Sequence, residues 1–520
     1  MFPPRLFLVY CLILAVSLGL AVFLARRVKF PALSHSLGAL VVSGLALLHA
    51  WFYWLAYMTR HAQFAAGATD FSHFLQCLWK MSVGQAPVST VLGTHLLRDH
   101  FSLLWYPVAL WFKCFPNVSA IVLLSCLSVA AVAVALYWLT WEVTKSEWLG
   151  LAVGVSYLLN PYVQLAQLAA AHADSFNVLV IALSLLALAK RRWIWFYFLA
   201  IAAIAGKEEV GLYFGAVGLF LWLGMKEVKR GLALVVAGLA SALLIRLWLM
   251  PQFGPDTQQL FVKYFSHLGG SPQGIVHTFA TRPWMLVLPI LQWDKLFPIF
   301  YLLAPTAFLS LLSGWALLPL AAAIWFKSIG NYPAMYNYWD HYSLHVMPFL
   351  YFACAWGMKC CLAEGGWGAK LAGKLKVGRM ESFLAALLLA LALLVNLESG
   401  DNPLGRKFYG QAHVLTAHQR AGKAILAAVP PQASVLTEEN ISPHLAFRPR
   451  LYLLHQWMPD PVEFARTHEM DYVVIDLRSQ RLPEDYWRRL QAVADYFGKQ
   501  GYVKERDETG WVVYKRRPQD

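Results

Sequence analysis

Four groups of ionisable side chains interrupt an otherwise apolar chain, and their types suit proton transfer and anion binding. The first opens with Asp70, followed at near-helical spacing by His73 and Gln76, and ends at Arg98, Asp99 and His100. A carboxylate in such a loop can take a proton from an acceptor hydroxyl or hold a divalent ion, and an imidazole beside it can act as an acid or a ligand. Helix N-capping is the structural alternative for Asp70 and Asp99, because an apolar helical pattern follows each. His172 and Asp174 form the second group, where a loop re-enters an apolar segment, and capping is again the alternative.

The third group, Lys207, Glu208 and Glu209, falls inside the apolar stretch from Trp193 to Trp222. Three consecutive charges at that depth are costly unless they face a polar cavity. A lysine so placed neutralises a phosphate leaving group, and either glutamate can hold the lysine or bind metal. In the fourth group, Tyr338, Asp340, His341, Tyr342 and His345 lead into another apolar run. His341 and His345 stand one helical turn apart, a spacing that suits a metal, but no third ligand is evident. The candidate catalytic residues are therefore Asp70, Asp99, His100, His172 and Asp174. Arg98, Lys207, Glu208, Glu209, His341 and Tyr342 are candidates for substrate binding, and Asp70, Glu208 and Glu209 for a divalent ion. Arg246, one turn before Pro251, either snorkels outward or meets an anionic headgroup.

These groups must be positioned by membrane helices. Of 520 residues, 59% are hydrophobic and 14% charged, against roughly 25% charged in soluble domains. The formal charge of +14 does not mark a nucleic-acid partner, because basic and acidic residues nearly balance after Glu398 and the excess lies in the apolar part. The seven cysteines show no CxxC spacing. P-loop, dinucleotide and zincin motifs are absent.

Apolar runs at about 5–25, 36–58, 118–141, 147–168, 175–190, 193–206, 210–224, 231–250, 297–311, 314–328, 341–358 and 382–398 predict roughly twelve crossings. In the segment 297–328 the break between two short crossings is expected at Ser313 and Gly314. The segment 101–115 is too short to cross and reads as a re-entrant or interfacial helix. If Arg26, Arg27 and Lys29 are inside, then Lys190–Arg192, Lys226–Arg230 and Lys359–Arg379 share that side. Asp70, Asp99, Asp174, Glu208, Glu209, Asp256, Asp294 and Asp340 then fall outside. Residues 1–398 are expected to form the transmembrane domain, with a large outer loop at about 60–117. From 399 to 520 the alternation in Ser434–Leu436, Tyr472–Asp476 and Trp511–Tyr514, with an amphipathic Glu484–Phe497, predicts a small extracytoplasmic α/β domain.

At these residues the chain resembles the DUF2079 family of prokaryotic polytopic membrane proteins, related to the GT-C superfamily of glycosyltransferases. The resemblance rests on Asp70 with Gln76 and Trp79, on Asp99-His100-Phe101-Ser102, His172-x-Asp174 and Lys207-Glu208-Glu209, and on His341-Tyr342-Ser343 running to Pro348. Ser434–Arg450 with Pro443-His444-Leu445, then Asp471-Tyr472, is similar to that family's outer domain. Leu75, Leu103 and Ala173 depart from its pattern, and Leu75 removes a second carboxylate from the first loop.

The resemblance implies a GT-C-like, mainly α fold in the prokaryotic cytoplasmic membrane. It implies transfer of a sugar from a polyprenyl-phosphate-linked donor to an acceptor on the extracytoplasmic face, with Asp70 as base or metal ligand. Lys207, with Arg98 or His172 nearby, would stabilise the departing phosphate. The expected partners are membrane lipids and that donor, with the acceptor undefined, and a divalent metal ion is the one cofactor left open. A transporter or flippase of a lipid-linked or anionic substrate is the alternative, since it also needs polar groups at helix breaks.

Overall fold

The computed structural model describes residues 4–28, 30–66, 69–169, 171–255, 260–364, 366–408, 414–455, 460–478, 484–500, 502–508 and 510–517. Lys29 and Asp256, both used in the sidedness argument, lie outside them. Among the described residues up to Ser399 the regular elements are helices apart from one short hairpin, β1 (Val88–Ser89) with β2 (Thr94–His95). Five helices among the described residues have the length and apolarity to cross a bilayer: Arg5–Arg27, His35–Ala62, Val118–Thr144, Val228–Phe253 and Met380–Ser399. The pair Glu147–Leu158 and Pro161–Leu168, bent by 44°, counts as a sixth if it is one span.

Side-chain caps fix where these helices begin. Ser34, Asn117 and Ser146 each accept a hydrogen bond from the backbone three residues on. Asn160 caps the second half of the bent pair through the Tyr162 N–H, with Pro161 at the first helical position, where its missing N–H costs nothing. The bend follows from that restart.

Several of the twelve expected crossings are shorter than a full span. Ala173–Ala189, Trp193–Ile204 and Val210–Leu223 are apolar helices of 17, 12 and 14 residues. The run 341–358 yields Met347–Leu362, buried over most of its length. Between 297 and 328 the interruption is wider than a Ser313–Gly314 break. Helix Trp293–Leu303 gives way to 3₁₀ turns through Ala316, with Ala307 and Phe308 at φ 50° and 56°, before Leu317–Ile329 begins. Polar residues at the helix ends shorten these elements, and the short helices enclose the site.

Helices Val210–Leu223 and Val228–Leu244 approach backbone to backbone. A Cβ at Gly238 would lie 2.4 Å from the Gly211 carbonyl oxygen, and one at Gly231 2.6 Å from that of Gly218. Small residues at such a contact let dispersion act between backbones where lipid gives no hydrophobic drive.

Beyond Ala417 the chain forms a five-stranded sheet, ordered β4 (Leu451–Leu454), β3 (Val435–Glu438), β5 (Tyr472–Asp476), β7 (Trp511–Arg516) and β6 (Tyr502–Glu508). β3 pairs parallel with β4 and β5, while β7 runs antiparallel to β5 and β6. One sheet face joins the helical core through Val435, Val474, Trp511 and Val513. The other packs on helix Glu484–Lys499 through Leu490, Val493 and Phe497.

The sheet domain clamps helix Thr69–Ser82, which carries Asp70. Ser72 and Ser442 hydroxyls meet at 2.6 Å, and Gln76 Nε2 donates to the Arg448 carbonyl at 3.1 Å. The Gln76 carbonyl accepts from Ser89 and from the Thr90 backbone, and His444 stacks on His61 with ring centroids 3.9 Å apart. Gln76 is thus a buried polar hub with both ends of its amide satisfied.

Candidate functional site

Lys207, Glu208 and Glu209 occupy the turn between Trp193–Ile204 and Val210–Leu223, and each points to a different partner. Lys207 Nζ donates to Asp174 Oδ1 at 2.8 Å. Glu208 Oε1 lies 3.0 Å from His100 Nδ1, and its Oε2 accepts from the Phe101 N–H at 3.2 Å. Glu209 accepts a hydrogen bond from Lys327, and His345 Nδ1 stands 3.4 Å from the same oxygen. His345 Nε2 lies 3.7 Å from Asp174 Oδ1. The result is a buried chain of ionisable groups, Lys207–Asp174–His345–Glu209–Lys327, with every member at most 7% exposed. Removing one partner from such a chain strands a charge in low dielectric, at about 3–5 kcal/mol.

The turn itself is held tightly. The Leu103 N–H donates to the Ala205 carbonyl, Asn177 Nδ2 donates to that of Ala203, and a Cβ at Gly206 would sit 2.5 Å from Asn177 Cγ. Position 206 therefore has room only for glycine.

Asp99 is the last residue of the one-turn helix Leu96–Asp99 and so does not cap one, while His172 does cap Ala173–Ala189. Asp99 Oδ2 is 3.9 Å from His73 Nε2. Burial raises the Asp99 carboxyl to about 6, with His100 opposing and Asp70 reinforcing. Burial and the Lys207 ammonium oppose a charge on His100, but Asp99 and Glu208 outweigh them and hold it at about 9. His172, buried and near Lys207, is drawn down to about 4. The site thus carries a protonated His100 beside a neutral His172 across the neutral range.

Two cavities lie beside these groups, one reaching Asp174 through His172 and the other lined by Lys207, Glu209 and Lys327 themselves. The first, about 260 Å³, is polar and lined by Arg60, Asp70, His172, Asp340, His341 and Tyr342, among others. The second, about 320 Å³, has His100, Lys207 and Lys327 among its lining groups, interleaved with Asp99, Glu208 and Glu209. Leu243, Leu247, Val276, Phe279 and Trp325 line its long apolar wall, where Arg246 also lies. Tyr342 lines both cavities, its hydroxyl 3.4 Å from that of Tyr264 and its ring 5.4 Å from Lys327 Nζ.

His172, Asp174 and His341 are the one group of described residues compact enough to suggest a metal, with ligand atoms within 4.8 Å of one another. An ion does not fit them as they stand. The His172 and His341 rings lie face to face, centroids 3.9 Å apart and planes 9° from parallel, so their in-plane lone pairs run side by side instead of converging. Lys207 already supplies the cation for Asp174. Asp70, Glu208 and Glu209 do not form such a group, since the two glutamates are committed to His100 and to Lys327. His341 and His345, one turn apart in sequence, separate: His341 faces the polar cavity and His345 bridges Asp174 and Glu209.

The structure therefore gathers Asp99, His100, His172, Asp174, Lys207, Glu208, Glu209, His341 and Tyr342 at one set of helix ends, with Asp70 across the polar cavity. Arg98 lines neither cavity. Lys327, Arg60 and Tyr264 escaped the sequence reading. Lys327 is a lone cation near the end of an apolar helix, and its separation in sequence from Glu209 hid its role; that same apolar context was the available signal.

The fold and the site together define a polytopic membrane protein with a buried ionic chamber at one end of its helices. The chain belongs to the DUF2079 family, described as a predicted membrane protein, whose model matches residues 60–513. No curated protein matches the chain. Two solved structures are similar, both of ArnT from Cupriavidus metallidurans. The one bound to undecaprenyl phosphate has 15% identity and a TM-score of 0.49, covering 92% of this chain and 99% of that one. The apo form has 14% identity with the same TM-score and coverage.

Proposed function

We propose that this protein is a membrane glycosyltransferase, taking a sugar from a polyprenyl-phosphate-linked donor to an acceptor on the extracytoplasmic face of the cytoplasmic membrane. One observation carries the reading: an apolar-walled cavity bordered by Lys207, Lys327 and His100, with Asp99, Glu208 and Glu209 among them, and a separate polar cavity holding Asp70 share Tyr342 and are joined through His172, Asp174 and Lys207. An isoprenoid phosphate has the matching form, an extended apolar tail ending in an anion. Its phosphate is placed by Lys207 and the protonated His100, with Lys327 and Arg246 adding positive potential.

In this reading the acceptor enters the polar cavity, and Asp70 takes the proton of its hydroxyl as that oxygen attacks the anomeric carbon. The carbon–oxygen bond to phosphate breaks, and the polyprenyl phosphate leaves with its charge held by Lys207. Asp174 and Glu208 keep Lys207 and His100 charged and aimed, and no step is routed through a metal ion.

Sidedness follows from charge. Ala173–Ala189 begins at the chamber and ends at Lys190–Arg192, and Val210–Leu223 begins at the chamber and ends next to Lys226. With the basic loops inside, the chamber and the sheet domain are outside. Gathering ionisable groups at one end favours a transferase over a transporter, which needs them near the midplane. The test is Asp70→Asn in the purified protein. Loss of sugar transfer with lipid binding and thermal stability retained is expected, and full retained transfer removes Asp70 from the mechanism.

A further inference from the structure

The polar cavity says what kind of acceptor it takes, an inference that rests on the transferase reading above. Two carboxylates face it, Asp70 from the first turn of Thr69–Ser82 and Asp340 from the loop before Met347–Leu362. Asp340 has φ 51°, a left-handed backbone that non-glycine residues rarely adopt, held where its carboxylate meets the cavity. Among the described lining residues the one cation is Arg60, whose guanidinium is turned to the carbonyls of Leu168 and Ala65 at 3.1 and 3.5 Å, while the Lys263 ammonium nearby sits 5.0 Å from the Tyr332 ring centroid.

Two buried imidazoles complete the wall. His172 is 2% exposed and His341 9%, and the Nε2 atom of each lacks a hydrogen-bond partner although both line the cavity. An unpartnered buried polar atom is costly unless a ligand or water satisfies it. Tyr332, stacked on Tyr264, and Tyr342, packed on His341, add aromatic lining, centroids 6.0 Å apart and 70° between planes. Carboxylates that accept from adjacent hydroxyls, imidazole nitrogens and aromatic lining for C–H contacts are together the chemistry that recognises a sugar ring. Anions meet two carboxylates, while Arg60 is engaged by backbone carbonyls and Lys263 by the Tyr332 ring.

We infer that the acceptor is a neutral, hydroxyl-rich saccharide, bound between Asp70 and Asp340 against Tyr332 and Tyr342, and that acidic acceptors are rejected. The experiment uses the full-length protein in detergent and saturation-transfer NMR with neutral trisaccharides of glucose, mannose and galactose, against trigalacturonate. Binding of at least one neutral trisaccharide, with trigalacturonate at least about tenfold weaker, is expected from like-charge repulsion. Asp340→Asn should narrow that gap, and Asp340→Glu should keep it. Trigalacturonate binding as well as the neutral compounds, no neutral compound binding, or an unchanged gap in Asp340→Asn overturns the inference. Polyprenyl phosphate binding is measured on the same samples by native mass spectrometry. If lipid binds and no neutral saccharide does, the acceptor assignment alone fails; if neither binds, the transferase reading fails with it.

Discussion

Replacing Glu208 with Gln tests whether the His100 charge places the lipid phosphate. Two carboxylates, Asp99 and Glu208, raise this imidazole to about 9 against burial and Lys207. Because the group is raised, its charge is present below about 9 and is lost as pH rises through that value. At pH 7.5 a group with pKa about 9 is about 97% protonated, whereas one at the ordinary value of about 6.5 is about 10% protonated.

The variant keeps an amide oxygen for the Phe101 N–H but loses the hydrogen-bonded one of the two charges that sustain His100, leaving Asp99 alone against burial and Lys207. Polyprenyl phosphate affinity at pH 7.5 should therefore fall about tenfold, or about 1.4 kcal/mol. Loss of the Glu208 anion itself favours an anionic ligand, so the diagnostic is the position of the limb and not the affinity at one pH. Native mass spectrometry or tryptophan quenching between pH 5.5 and 9.5 should show half-loss near pH 9 in the wild type and below pH 7 in Glu208→Gln. A limb that stays near pH 9 in the variant refutes the role given to His100.

Three further outcomes follow from the packing. Lys327→Met leaves the Glu209 carboxylate with His345 and Tyr213 beside it and the Lys207 ammonium farther off, and should cost about 3–5 kcal/mol in detergent unfolding, while the double change with Glu209→Met recovers most of the loss. Gly206→Ala drives a methyl into Asn177 and should cost about 1–3 kcal/mol, with weakened lipid binding because the turn carrying Lys207 shifts. Transfer should survive a metal chelator, since the compact His172–Asp174–His341 group does not offer a converging ligand set; loss on chelation with recovery by one divalent ion would contradict that.

Much of the architecture was legible because it depends on local pattern. Alternation and amphipathicity put strand β5 at Tyr472–Asp476 and a helix from Glu484 where the structure has them, since a period of two or of 3.6 needs no knowledge of partners. Helix lengths were less legible. Apolar composition from 297 to 328 does not reveal that Ala307 and Phe308 adopt left-handed backbone, because that conformation is imposed by packing.

At the site, the cost of placing Lys207, Glu208 and Glu209 in an apolar stretch pointed to the chamber before any contact was known. Which charge meets which was not readable. Glu209 pairs with Lys327, 118 positions away, and the His341–His345 spacing that suggested a shared metal gives one side chain on the polar cavity and one inside the ionisable chain.

The most direct test of the central claim is a cryo-electron microscopy structure of the full-length protein with a polyprenyl phosphate. The account predicts isoprenoid density along Leu243, Leu247, Val276 and Phe279, with the phosphate in hydrogen-bond reach of Lys207 and His100 and the Asp70 cavity left clear. Lipid density confined to the outer surface, or a phosphate seated between Asp70 and Asp340, would contradict it.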